Sequence, residues 1–312
     1  MLQQEVDRLF DRQQANWPAL RDSYTKLGQT EKKTLHFPSC RMEAIFNPDR
    51  MRSTAAKTDA RSIRERPCFL CQPNRPVEQE GIDYKGEYTI IVNPFPIFSR
   101  HFTIPANLHT PQRIEEKRLE DMLSLAQELP RYTIFYNGPA AGASAPDHFH
   151  FQAGERKVMP VEDEINRDTE ILFESDGICI KNRKNYIRHL FIIEGTQKEK
   201  VITAILQVLD CLGRTIPLTP EPMVNLMAFY QNGQWTVCLF PRKKHRPAQF
   251  FEEGESQFIF SPGTVDMGGM LILPREKDFR KITEELTENM FKQLIFNTQE
   301  FDNVKSLIRN IG

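Results

Sequence analysis

A chain of 312 residues with 39% hydrophobic and 27% charged content can bury one large core or two linked ones without help from disulfides. Its formal net charge of −1 excludes a whole-protein electrostatic grip on nucleic acid and leaves only local patches for binding phosphate. Met1 to Asp7 opens a charged amphipathic stretch rather than an apolar leader, and no apolar run of about 18 residues follows, so no membrane partner is expected and the cytoplasm is the default compartment.

Apolar spacing through Val6, Leu9 and Phe10 predicts a helix from Leu2 to about Gln14, with short strands after it at Thr34–Phe37 and Met42–Phe46. From Asn47 to Arg75 the chain is rich in arginine, proline and polar residues and reads as a loop. Glu87–Asn93 and His101–Ile104 then read as strands, Pro111–Leu129 as a helix, and Tyr132–Tyr136 and Asp147–Gln152 as strands. The order returns with strands at Ile178–Ile180 and Tyr186–Ile193, a helix at Gln197–Leu212, and strands at Val224–Tyr230 and Gln234–Phe240 joined by a turn at Asn232-Gly233. This repetition predicts an α+β fold built as a duplicated module, mainly antiparallel sheet flanked by helices, with residues 1–158 as the catalytic copy and 159–312 as the second. The second copy ends in Trp235 to Phe240 without any His-x-His, so it is expected to pack and to complete the substrate pocket. Gly268–Leu273 adds a strand, and Glu276 to about Ile311 reads as closing helices.

Six cysteines stand at 40, 68, 71, 179, 211 and 238, and only Cys68-Phe69-Leu70-Cys71 has a spacing that grips a metal ion. Such a pair needs two more donors, and His109 and His148 are the candidates for a closed, structural Cys2His2 zinc site. Pro67 and Pro73 flank the pair and favour a turn that presents both thiols to one side. The competing readings are two small buried hydrophobes or a redox pair for the cysteines, and a solvated loop residue for His109.

Asp147-His148-Phe149-His150-Phe151-Gln152 alternates, which places His148, His150 and Gln152 on one strand face, with the histidines about 6.6 Å apart. A neutral imidazole at His150, open to a substrate, can attack an α-phosphorus and split nucleotidyl transfer into two steps. Its other nitrogen needs an acceptor, and a backbone carbonyl of the preceding loop suits that role. Gln152, one pleat further, can donate its amide to a non-bridging oxygen as charge builds. Before this strand the small-residue run from Tyr136 to Pro146 lets backbone N–H groups approach a phosphate, with Gly138, Gly142 and Ala143 in the loop and Asn137 and Ser144 as side-chain donors. Arg50, Arg52, Lys57, Arg61, Arg64 and Arg66 can clamp a diphosphate, although Asp49, Asp59 and Glu65 among them fit a solvated loop face equally. A second cluster, Arg242 to Arg246, either completes the pocket or solubilises an edge.

At these residues the chain resembles the histidine-triad superfamily, in its branch of galactose-1-phosphate uridylyltransferases, diadenosine tetraphosphate phosphorylases and GDP-hexose phosphorylases. The likeness rests on Asn93-Pro94-Phe95-Pro96, on His101 to Pro105, on Asn137-Gly138 through Ser144, and on His148 to Gln152. Thr110-Pro111-Gln112-Arg113-Ile114 and Val265 to Met270 resemble the GDP-hexose phosphorylases in particular. The resemblance implies His150 as nucleophile, Gln152 as its partner on the transferred group, Asn93 at the ribose, zinc on Cys68, Cys71, His109 and His148, a small nucleotide with phosphate or a sugar phosphate as substrates, and dimerisation as a common state. Gln152 stands where small histidine-triad hydrolases carry a third histidine. Two rival functions remain at this point: a hydrolase with His148 and His150 on one catalytic metal, and a zinc-stapled nucleotide-binding module without turnover.

Overall fold

The computed structural model describes residues 1–55, 59–217 and 220–311, without the side chains of Arg52, Ser53 and Ala60. Of the expected clamp residues, the side chain of Arg52 and the whole of Lys57 therefore lie outside what is described. Two helices, Leu2–Asn16 and Pro18–Leu27, lead into a small sheet made of β1 (Lys32–Phe37), β2 (Cys40–Phe46) and, from the far end of the chain, β13 (Met270–Leu273), which joins β2 in parallel.

The main sheet has ten strands, and every pairing in it is antiparallel. In chain order they are β3 (Gly81–Tyr84), β4 (Tyr88–Val92), β5 (His101–Pro105), β6 (Tyr132–Asn137), β7 (His150–Glu155), β8 (Thr169–Ser175), β9 (Ile178–Arg183), β10 (Phe191–Gly195), β11 (Val224–Gln231) and β12 (Gln234–Pro241). Their spatial order is β3-β4-β5-β7-β6-β11-β12-β10-β9-β8. Each half of that list carries one long helix between its third and fourth strands, Glu116–Glu128 in the first and Lys198–Thr215 in the second. The halves meet where β6 pairs with β11, with Asn137 opposite Asn225.

Alternation along the strands divides the core. Tyr136, Phe149, Phe151, Leu226 and Ala228 face one cluster, which takes in Leu123, Val208 and Ile308 from the helices. Phe135, Met227 and Phe229 face the other, against the small sheet and the helix Glu284–Leu294. Fully burying one such large apolar side chain contributes about 1.5–3 kcal/mol, so both layers are needed to hold a sheet this wide. Among the described residues no helix is long and apolar enough to cross a membrane.

Four expectations need correction, one being that β10 spans Phe191–Gly195 rather than Tyr186–Ile193. The helix begins at Glu116 rather than Pro111, because the Gln112 N–H donates to the Pro146 carbonyl and the Ile114 N–H to Glu221, which holds 110–114 as an extended strap. Strand β7 starts at His150 rather than Asp147, because His148 N–H turns back to the Ala145 carbonyl and Phe149 N–H goes to Thr110. The segment 47–75 contains short helices at Met51–Thr54 and Ala60–Glu65, the latter capped by the Asp59 carboxylate on Ser62 N–H. Strands β3 and β8 were not expected from the pattern; they are the sheet's two edges, one four residues long and one interrupted by a bulge after Ile171.

Glu221 locks the seam between the halves: its carboxylate accepts from Ile114 N–H at 2.7 Å and from the Tyr136 hydroxyl at 2.8 Å. Burial pushes its pKa from 4.5 up to about 7. A carboxyl raised in the folded state stabilises fully below the unfolded value and loses that contribution as pH rises through the folded one, so stability should fall by on the order of 3 kcal/mol between pH 4.5 and 7. Urea unfolding across that window should show this slope in the wild type and a flatter one in Glu221→Gln; equal slopes would exclude Glu221 as its source.

Candidate active site

Cys68 and Cys71 sit in the turn after the short helix Ala60–Glu65, where Cys71 N–H closes onto the Cys68 carbonyl and points both sulfurs the same way. The turn at 145–148 aims the His148 ring at them. Cys68 Sγ lies 3.3 Å from His148 Nδ1, Cys71 Sγ lies 3.2 Å from His109 Nδ1 and 3.5 Å from His148 Nδ1, and all four donor atoms fall within 4.8 Å of one another. A tetrahedral ion with sulfur at 2.3 Å and nitrogen near 2.0 Å gives S···N edges of about 3.5 Å, so this group could hold a metal ion. The outer contacts agree. His148 Nε2–H donates to the Ala106 carbonyl at 2.8 Å, which leaves Nδ1 bare toward the sulfurs, and Asp147 joins Arg66 at 2.6 Å and His109 Nε2 at 3.6 Å. Burial pushes the Cys68 thiol up, but the His148 contact and the N–H groups of Leu70 and Cys71 outweigh it and bring the pKa to about 6. His150 is not a member of this cluster.

The His150 ring is tied differently. Its Nδ1–H donates to the carbonyl of His148 at 2.8 Å, so the neutral ring keeps its lone pair on Nε2. Burial drives its pKa down to about 4, which keeps it neutral. The residue is only 4% exposed, less open than the sequence led one to expect. Nε2 has no hydrogen-bond partner among the described residues.

Gln152 is oriented by His101, a buried residue that sequence reasoning treated only as part of a strand. Ile97 N–H donates to His101 Nδ1 at 3.2 Å, which puts the proton of the neutral ring on Nε2, and Nε2–H donates to Gln152 Oε1 at 3.0 Å. The Gln152 amide NH2 is thereby left for another acceptor. Burial and the nearby Arg50 charge lower the His101 pKa to about 3. Arg50 donates to the Phe95 carbonyl at 2.8 Å, and its charge also acts on Asp266. Arg61 pairs with Glu65 on the surface.

The loop after β6 is held from the second half of the chain. Asn137 Oδ1 accepts from Thr264 N–H at 2.7 Å, from the Thr264 hydroxyl at 2.8 Å and from Asn225 Nδ2 at 3.1 Å. Arg242, 1% exposed, donates to Asn225 Oδ1 and to the carbonyls of Pro262, Lys244 and His245, so this member of the basic cluster neither meets solvent nor solubilises an edge. Gly138 lies against the Val224 carbonyl, and Gly142 against Gly263. Ala143 is buried and Ser144 half-buried; the N–H groups of Gly142 and Ser144, and the Ser144 hydroxyl, make no hydrogen bond among the described residues. Asn93 donates to the Thr103 hydroxyl on β5 and accepts from Phe95 N–H. Gln112 enters from the strap and bonds the backbone of both Asn137 and His150.

One antiparallel sheet thus carries a buried neutral histidine two residues from a glutamine and, beside them, a Cys2His2 cluster. Two family models match side by side: a domain of unknown function, DUF4922, over residues 9–155, and the GDPGP1-like C-terminal domain over 160–312. The chain belongs to the histidine-triad-like nucleotidyltransferase and phosphorylase superfamily. It is 25% identical over 229 residues to GDP-L-galactose phosphorylase 2 of Arabidopsis thaliana, covering 70% of this chain and 50% of that protein. To galactose-1-phosphate uridylyltransferase of Lactococcus lactis subsp. cremoris it is 21% identical over 221 residues, 64% of this chain and 43% of the other. The chain thus spans about half the length of these relatives. Its fold matches yeast Ap4A phosphorylase Apa2 with a TM-score of 0.61 at 17% identity, over 89% of this chain and 96% of that one.

Gly142 has φ +98°, and a Cβ there would stand 2.7 Å from Gly263 Cα. Gly142→Ala should destabilise the protein by roughly 2–5 kcal/mol, combining backbone strain with overpacking. An unchanged urea midpoint would show that the two loops do not meet this closely.

Proposed function

We propose that this chain is a nucleotidyltransferase that moves a nucleoside monophosphate from a nucleotide sugar or dinucleoside polyphosphate to phosphate or a sugar 1-phosphate, through a covalent adduct on His150. The observation that carries this reading is the bond from His150 Nδ1–H to the His148 carbonyl, which leaves the lone pair on Nε2 without a partner among the described residues. In the first step a bond forms between Nε2 and the α-phosphorus while the bond from phosphorus to the departing phosphate oxygen breaks, and that oxygen keeps the electron pair. The ring becomes cationic, and the His148 carbonyl facing Nδ1–H stabilises it. The Gln152 NH2, freed by His101 holding its Oε1, donates to a non-bridging oxygen in both steps. In the second step an acceptor oxygen attacks phosphorus and the N–P bond breaks, which restores the neutral imidazole. The similarity to a GDP-L-galactose phosphorylase favours a GDP-hexose as donor and inorganic phosphate as acceptor.

Within this reading the two halves of the sheet are copies of one module, 1–158 and 159–312, and only the first carries the histidine pair. Cys68, Cys71, His109 and His148 would hold zinc, which with four protein ligands supplies a fixed anchor rather than an open site. Free thiolates of this kind suit the reducing cytoplasm. A hydrolase with both histidines on one metal is disfavoured because His148 gathers with Cys68, Cys71 and His109, a group that does not include His150.

GDP-hexose, UDP-hexose and diadenosine tetraphosphate carrying label at the α-phosphate, each incubated without acceptor, should leave label on the wild-type protein for one of them and none on His150→Ala. Inorganic phosphate should then release it as a nucleoside diphosphate. Turnover to nucleoside monophosphate with no labelled protein at any time would refute the covalent route. Elemental analysis should find one zinc per chain; Cys68→Ser should lose it and unfold at lower temperature, whereas full zinc retention in that variant would remove the cluster from the assignment.

A further inference from the structure

Strands β6 and β7 pair from Tyr132↔Glu155 to Phe135↔Gln152, and the same register would set Asn137 against His150. The ladder stops short of that pair. In its place stands the Gln112 carboxamide, 1% exposed: Nε2 donates to the carbonyls of Asn137 and His150, each at 3.0 Å, and Oε1 accepts from His150 N–H at 2.8 Å. On its other side His150 faces Pro105 of β5, which has no N–H to give. Both backbone groups of His150 are therefore held by one side chain, and Gln112 is itself pinned through its N–H to the Pro146 carbonyl.

We infer that Gln112 is the positioning residue of the nucleophile: its carboxamide substitutes for the missing ladder bonds, keeps β6 and β7 apart by its own width and sets the place of the His150 imidazole in the resulting gap. The inference rests on the covalent reading for its catalytic consequence but not for its geometry. A carboxamide alone fits this role, since it presents a donor and an acceptor in one plane as a peptide group does. Glutamate at 112 would keep the acceptor for His150 N–H and turn an oxygen toward two carbonyls.

Two variants of the full chain test this, Gln112→Glu and Gln112→Ala. Hydrogen exchange read by mass spectrometry should be about tenfold or more faster in peptides spanning 148–152 of Gln112→Ala, with the remaining strands unchanged. Capture of α-labelled GDP-hexose in a single turnover should slow about 100-fold in both variants, the cost of a nucleophile displaced by about an ångström. GMP affinity should stay within about threefold of wild type and zinc content should be retained, which separates positioning from collapse. Unchanged exchange at 148–152, unchanged capture, or a loss of capture matched by an equal loss of GMP binding would each overturn the inference. A wild type that captures no label would refute the covalent route instead, and the exchange result alone would then decide whether Gln112 holds His150.

Discussion

His148 joins two functions through two of its own groups. Its ring, fixed by the bond from Nε2–H to Ala106, turns Nδ1 into the cysteine cluster, and its carbonyl takes the Nδ1–H of His150. Any shift of the cluster therefore moves the acceptor that sets the tautomer of the neighbouring imidazole. This coupling requires the chain to turn at 145–148 before β7 begins, because in a regular strand the two rings would share one face and the carbonyl between them would point into the ladder. An ion held by that cluster would thus act on the neighbouring imidazole through backbone geometry.

The rest of the site follows the same logic of neutral rings with assigned protons. His101 and His150 are both buried and both held far below the ordinary histidine pKa, so each offers one donor and one acceptor nitrogen rather than a charge. One orients an amide and the other presents a lone pair. Positive charge enters through Arg50, whose guanidinium is fixed on the Phe95 carbonyl, and its effect on His101 helps to keep that ring uncharged. A protonated ring at 101 would still donate to Gln152, but it would lose the contact from Ile97 N–H, since Nδ1 could no longer accept.

What could be read from the sequence was what is chemically local. C-x-x-C, His-x-His-x-Gln and the small-residue loop each announce a chemistry within a few residues, and the structure brings the cysteines together with His109 and His148 as their spacing suggested. The strands near the centre of the sheet were legible because alternation there is strong. The edge strands were not, since β3 is too short and the bulge in β8 breaks the period of two. In the strap 110–114 Pro111 suits a helix's first turn, and only partners elsewhere in the chain, at Pro146, His150 and Glu221, decide that it stays extended. Gln112, His101 and Arg242 escaped for the same reason: each acts by pairing with backbone or amide groups from other elements, and no local spacing marks such a role. Asn93 was singled out by its motif, and its side chain ties the end of β4 to Thr103 of β5 and to Phe95 N–H.

The second half of the chain supplies stiffness at the point where the first half has opened its sheet. Beyond Phe135↔Gln152 the strand β6 has lost its partner on one side, but on the other it remains paired with β11 to the end, Asn137 opposite Asn225. Arg242 fixes Asn225, Asn225 and Thr264 fix Asn137, and Asp266 caps the turn that carries Thr264 by accepting from Gly263 N–H and Ile272 N–H. An arginine buried without a directly bonded carboxylate is expensive, and its pKa is lowered to about 10 by that burial; the four acceptors around it are what make the arrangement tolerable. Such an arrangement has value only if the strand end it steadies must not move. The end of β6 beside His150 meets that condition, because the ladder to β7 stops there and the Gln112 side chain takes the place of the missing hydrogen bonds between the strands.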